Sequence, residues 1–307
     1  MPRYCKIIIS YIIVLSLFTG YFIPVNATSG TAVTATASDA SASAGFPAIT
    51  STSAIIMDAQ SGQIIYEKNP HTRQYPASIT KILTAYLAIK NGDLDSTITM
   101  SDAAVWGIDR NSSHIALDVG EQISVSDALY AVMLVSANEA AWALAEQVSG
   151  SLDNFVQLMN DTAKGLGCND THFTNANGLH DPEHYTTAYD MALITKEALT
   201  SKTFRSYAAE TYHEIPPTNM NDETRYLTQG NRMMLADSEY YYPACEGGKT
   251  GYTDDAGGTL VVWAEKNDMQ LICVTMGAPD NTVNYKDSIA LFDYAFNNYT
   301  STTLLSD

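Results

Sequence analysis

The chain has 307 residues, with 16 Lys and Arg against 34 Asp and Glu, and a formal net charge of −18. That balance argues against nucleic-acid binding, which calls for basic patches, and against adhesion to anionic lipid or wall polymers. Any anionic ligand must be held by local positive charge working against this background.

Residues 1–27 read as an export signal. Arg3 and Lys6 lead an apolar run over 7–23, and Val25-Asn26-Ala27 offers small residues for cleavage after Ala27. Thr19, Gly20, Tyr21 and Pro24 interrupt the run, which argues against a retained span of ~20 apolar residues. No cysteine follows it, so a bacterial lipid anchor is not expected. Cleavage would remove Arg3 and Lys6 and take the net charge to −20. Residues 28–45 are rich in Ser, Thr, Ala and Gly. They carry too little apolar surface to offset the cost of ordering and read as a flexible leader. The folded part is then 46–307, long enough for one large domain or two small ones. Of the four cysteines, Cys5 lies in the signal. Cys168, Cys245 and Cys273 allow at most one disulfide and fit no zinc spacing.

Apolar, β-branched runs over 54–58 and 63–66, joined across Ser61-Gly62, predict a hairpin. Pro76-Ala77-Ser78-Ile79-Thr80-Lys81 then opens a run with Ile79, Ile82, Leu83, Tyr86 and Leu87 at helical spacing, ending near Asn91-Gly92. Ser78 is therefore expected on the first turn of a largely buried helix, with Lys81 on the same face. A neutral amine beside a serine hydroxyl can take its proton, and a helix N-terminus offers unpaired N–H groups to a developing oxyanion. By itself the pattern is weak and reads more simply as an N-capping serine followed by a solvated lysine.

A polar, strand-poor stretch leads to the turn at Asp118-Val119-Gly120. Helices are predicted over 126–135 and 139–147, broken at Ser136-Ala137-Asn138. A hydroxyl on such a turn can relay a proton, and a carboxamide there can both donate to and accept from a peptide; plain helix capping is the alternative. Residues 152–165 and 190–199 suit helices. The stretch between them is dense in turn formers around 172–184. His180 and His184 are four apart, yet no helix presents them and no third ligand stands near, so they are not read as metal ligands. Residues 207–234 look irregular.

Lys249-Thr250-Gly251 follows Gly247-Gly248 but is not a phosphate loop, because Pro243 stands where that motif needs glycine and no helix pattern follows. Strands over 260–264 and 271–276 do follow, joined at Lys266-Asn267-Asp268. Lys249-Thr250-Gly251 is therefore placed on a strand at the edge of a site. There, lysine and threonine supply a charge and a hydroxyl for a carboxylate, and glycine lets a ligand backbone approach. An amphipathic helix over 288–297 completes the elements.

Ser78-x-x-Lys81, Ser136-x-Asn138 and Lys249-Thr250-Gly251, in this order, resemble the motif set of the penicillin-recognising serine enzymes. The closer likeness is to the serine-type D-alanyl-D-alanine carboxypeptidases, the low-molecular-mass penicillin-binding proteins. Thr84-Ala85, Ser136-Ala137-Asn138-Glu139-Ala140-Ala141, the Asn177-Gly178-Leu179…His184…Thr187-Ala188…Asp190 run and Gly248-Lys249-Thr250-Gly251-Tyr252-Thr253 are all similar to that family. The resemblance covers residues 54–299. It implies an α+β fold of the DD-peptidase and β-lactamase kind, a mostly antiparallel sheet flanked by helices with an inserted all-helical lobe. It also implies an exported enzyme that removes the terminal D-Ala from peptidoglycan stem peptides ending in D-Ala-D-Ala, with β-lactams as covalent inhibitors and no metal or organic cofactor.

In that likeness Ser78 is the nucleophile, Lys81 its base, with its pKa lowered by burial and by Lys249, and Ser136 the proton relay. Asn138 holds the substrate backbone and Lys81. Lys249 and Thr250 take the terminal carboxylate, Gly251 lets the substrate backbone come close, and the N–H groups of Ser78 and Tyr252 form the oxyanion hole. Three departures stand out. Glu139 occupies a position where relatives often have Asp, no arginine occurs over 279–286, and neither a C-terminal β domain nor an amphipathic tail is expected. A serine β-lactamase, a DD-endopeptidase and a non-catalytic wall-peptide or penicillin-binding module are the alternatives. The E-x-x-L-N pattern of class A β-lactamases is absent.

Overall fold

The computed structural model describes residues 31–35 and 45–303. The signal expected over 1–27 lies outside them, as do 28–30 and 36–44 of the expected leader. Strand β1 (Thr31–Ala35) nevertheless falls inside that leader, pairing antiparallel with Tyr299–Thr303 in the register Thr31 to Thr303. A ladder draws on backbone groups that every residue carries, and Thr31, Val33 and Thr34 are β-branched. A composition too polar for a packed core can still supply a strand.

The predicted hairpin is β2 (Ser53–Asp58) and β3 (Ile64–Lys68), with the Asp58 carboxylate accepting from the Ser61 N–H at 2.7 Å to fix the turn. A 3-10 turn, Ala77–Thr80, leads into α1 (Lys81–Asn91), whose residues 81–88 are all buried, making it the central helix of the molecule. Two three-residue strands, β4 (Thr97–Thr99) and β5 (Gln122–Ser124), pair across a loop that carries α2 (Asp102–Trp106). The stretch read as strand-poor thus holds a short ladder. Each of its strands is too brief for a period-two signal.

Next come α3 (Val125–Leu134), α4 (Asn138–Ser149), α5 (Leu152–Gly165), α6 (Ala188–Ala198) and α7 (Lys202–Ala209). Four of the five carry an N-cap: the side chains of Ser124, Ser151, Thr187 and Ser201 each accept from the N–H three residues on. The region read as irregular contains the end of α7 and a hairpin of β6 (Tyr212–Ile215) and β7 (Arg225–Thr228). The chain ends in β8 (Cys245–Thr253), β9 (Gly257–Lys266), β10 (Met269–Ala278), α8 (Asn281–Asn298) and β11 (Tyr299–Thr303).

The main sheet has the order β3-β2-β10-β9-β8, antiparallel throughout. Its strands are apolar on both faces because each face is covered. Ile55, Met57, Val261, Trp263, Ile272 and Val274 pack with α1 and the helical lobe. Their neighbours Ala54, Ile56, Leu260, Val262, Leu271 and Cys273 pack with α8 on the other side. The expected α+β architecture is the one observed. Strand β8 lies at the sheet's edge, and the 3-10 turn bearing Ser78 packs against β8 and β9. Cys168, Cys245 and Cys273 are free thiols.

Candidate active site

Ser78 lies in the 3-10 turn rather than on α1, and Lys81 is the first residue of α1. The turn is reached through Ala77, whose φ of 50° is left-handed, a costly conformation for a residue with a Cβ. Lys81 Nζ lies 3.0 Å from Ser78 Oγ, 2.6 Å from Asn138 Oδ1 and 2.5 Å from the Asn177 carbonyl oxygen. Its amine is fully buried. Burial first, and the charge of Lys249 second, pull its pKa well below the ordinary lysine value, with Glu139 acting in the opposite direction.

The break between α3 and α4 places the second motif. Ser136 has a φ of 63°, and its buried Oγ meets no hydrogen-bond partner among the described residues. Asn138 donates from Nδ2 to Ser112 Oγ at 2.8 Å, and its N–H donates to the Ser113 carbonyl at 2.9 Å. These bonds tie α4 to the loop between α2 and β5. Two further groups hold that loop. Arg225 on β7 donates to the carbonyls of Ile115 and Ala116, and pairs with the buried Glu121 at 2.8 Å. Glu139 accepts from the Ile115 N–H at 2.7 Å. Burial alone would raise the pKa of Glu121, but bonds from Arg225, Thr218 and the Asp118 N–H hold it below its ordinary value.

The third motif runs along β8. Lys249 is buried, its Nζ donating to the Thr250 carbonyl at 2.8 Å, and burial brings its pKa down to about 7. At Gly251 an added Cβ would sit 2.7 Å from the Ser78 nitrogen, so only glycine lets β8 come this close to the Ser78 backbone. Tyr252 follows, half exposed.

A cleft of about 710 Å³ opens between these elements, lined by Ser78, Asn138, Gly178, His180, Tyr252 and the loop at Asp109 and Asn111–Ser113, among others. Lys81 and Lys249 lie buried behind this lining. His180 and His184 part company. His180 packs edge-on to Tyr75 and faces Asp255 at 3.5 Å, whereas His184 is buried away from it beside Thr80. Among the described residues no group of three His, Cys, Asp or Glu could hold a metal. The Asn177 carbonyl and the Ser112–Ser113 wall were not anticipated. Asn177 stood inside a quoted run, but a backbone oxygen leaves no trace of its own in a sequence.

The sequence pattern that defines the family described as D-alanyl-D-alanine carboxypeptidase matches residues 38–280. The chain is 35% identical over 253 residues to D-alanyl-D-alanine carboxypeptidase DacF of Bacillus subtilis, covering 80% of this chain and 62% of that protein. It is 36% identical over 266 residues to DacA of Haemophilus influenzae, covering 82% of this chain and 63% of that one. It thus spans a little under two thirds of the length of these curated relatives. Among solved structures it is similar to the Streptomyces K15 DD-transpeptidase, with a TM-score of 0.77 and 26% identity over 82% of this chain and 99% of that one. A D-alanyl-D-alanine carboxypeptidase from Mycobacterium tuberculosis gives a TM-score of 0.74 at 28% identity, over 82% of this chain and 93% of that one.

Proposed function

The chain belongs to the D-alanyl-D-alanine carboxypeptidase family, and from that premise we propose that it is an exported serine DD-carboxypeptidase. It trims the terminal D-Ala from peptidoglycan stem peptides through an acyl-enzyme on Ser78, and β-lactams acylate the same hydroxyl. The observation that carries this reading is the set of three partners around Lys81. A neutral amine has two N–H bonds and one lone pair. Asn138 Oδ1 and the Asn177 carbonyl take the two protons, which leaves the lone pair for the Ser78 hydroxyl.

In this scheme the Ser78 proton passes to Lys81 as Oγ attacks the carbonyl of the penultimate D-Ala. The oxyanion is held by the N–H groups of Ser78 and Tyr252. The Ser136 hydroxyl relays that proton, giving its own to the leaving D-Ala amine as it takes the one held by Lys81; the C–N bond breaks, and water later cleaves the ester. Lys249 and Thr250 hold the substrate carboxylate beside Gly251, and Asn138 also holds the substrate backbone. Residues 46–307 form the catalytic domain. The basic and apolar start of the chain supports export, and no helix among the described residues is long and apolar enough to cross a membrane.

The test is mass spectrometry of the protein mixed with penicillin and followed over hours, with Ser78→Ala alongside. A long-lived adduct on Ser78 that is absent from Ser78→Ala is expected, and the same spectrum reports whether residues 1–27 are gone. An adduct lost within seconds would point to a β-lactamase, and none at all to a binding module. The likeness to the Streptomyces K15 DD-transpeptidase favours a second reading, in which an amine replaces water as acyl acceptor. Transfer of a peptide acyl group to an added amine, in preference to hydrolysis, would establish it.

A further inference from the structure

Ala77, immediately before the nucleophile, holds its left-handed φ through a chain of bonds that leads away from the cleft. The Thr80 hydroxyl donates to the Ala77 carbonyl at 2.9 Å. With its proton so placed, Thr80 Oγ1 can only accept from His184 Nε2, which lies 2.9 Å away. His184 Nδ1 in turn accepts from the Thr174 N–H at 3.0 Å, which fixes the imidazole as neutral with its proton on Nε2. Every member points its donor the same way, from Thr174 through His184 and Thr80 to Ala77.

The chain is dry. His184 and Thr80 are buried, and burial takes the His184 pKa down to about 3 against the pull of Asp181. Two other contacts confine Ala77, one at the peptide before it and one at the peptide after it. Thr259 on β9 donates to the Pro76 carbonyl at 2.8 Å, and an added Cβ at Gly178 would collide with the Ala77 carbonyl. A strained residue persists where its surroundings over-determine it.

We infer that His184 and Thr80 are positioning residues for the acylation step, aiming the Ser78 hydroxyl at the Lys81 lone pair by fixing the Ala77 peptide. Neither touches substrate. The inference rests on the acyl-enzyme reading above. Thr80→Val keeps the shape and removes the relay, Thr80→Ser keeps the relay, and His184→Asn keeps the acceptor for Thr174 but is too short to donate to Thr80.

The rate of acylation by benzylpenicillin should fall about tenfold to a hundredfold in Thr80→Val and His184→Asn, and recover in Thr80→Ser. With a peptide ending in D-Ala-D-Ala, kcat should fall while KM holds. Melting curves on the same samples show that the variants fold, and if one does not, the other carries the test. A folded Thr80→Val or His184→Asn that acylates at the parental rate would sink the inference and leave the enzyme reading intact. A parent protein that takes no penicillin at all would overturn both.

Discussion

At the scale of single residues, the proposed mechanism puts two buried lysines in opposite working states, and the pH profile it predicts follows from them. Lys81 must be neutral to accept a proton, so acylation climbs with pH as its lowered amine deprotonates. Lys249 must be charged to hold a carboxylate, so affinity declines as pH rises through about 7. A peptide ending in a free carboxylate should therefore give a bell-shaped kcat/KM profile. Amidating that carboxylate should remove the alkaline limb and leave the acid one. An alkaline limb unchanged by amidation would show that Lys249 does not serve the carboxylate. Serine and lysine three apart, and the S-x-N break, could be read in the sequence because they are side chains at fixed local spacing. The Asn177 carbonyl could not, since it reaches Lys81 across 96 positions of chain through a group that all residues share.

At the scale of elements, the wall of the cleft depends on a hairpin that the sequence concealed. Strands β6 and β7 are four residues each, with alternating exposure too short to stand out beside Pro216-Pro217. Yet β7 delivers Arg225 to Glu121 and to the carbonyls of Ile115 and Ala116. Arg225→Ala would strand a buried carboxylate and release two carbonyls, at a cost of about 3–5 kcal/mol. A urea titration measures this directly, and a loss below about 1 kcal/mol would show that the pair is dispensable. The same substitution should raise proteolytic cutting within the loop before β5. By contrast α1, α5 and strands β9 and β10 were legible. Each is long enough for its apolar period to be counted, and β9 and β10 are apolar on successive residues because both faces are covered.

At the scale of the whole molecule, sheet and helical lobe share one core. Trp263 on β9 is buried with its ring 6.0 Å from that of Phe204 on α7, and α1 is enclosed along most of its length. Each part would bare a large apolar face without the other, so heating should give a single transition. Tryptophan fluorescence and far-ultraviolet circular dichroism should report the same midpoint, and separated midpoints would show that the lobe unfolds independently. The ribbon of β1 and β11 has a mechanical consequence. Because Thr31 pairs with Thr303, the chain enters and leaves the described fold side by side. Tension applied between those two points peels the ribbon open one pair at a time instead of shearing all its bonds together. The ribbon yields before load reaches the sheet, so a pull between Thr31 and Thr303 spares the cleft.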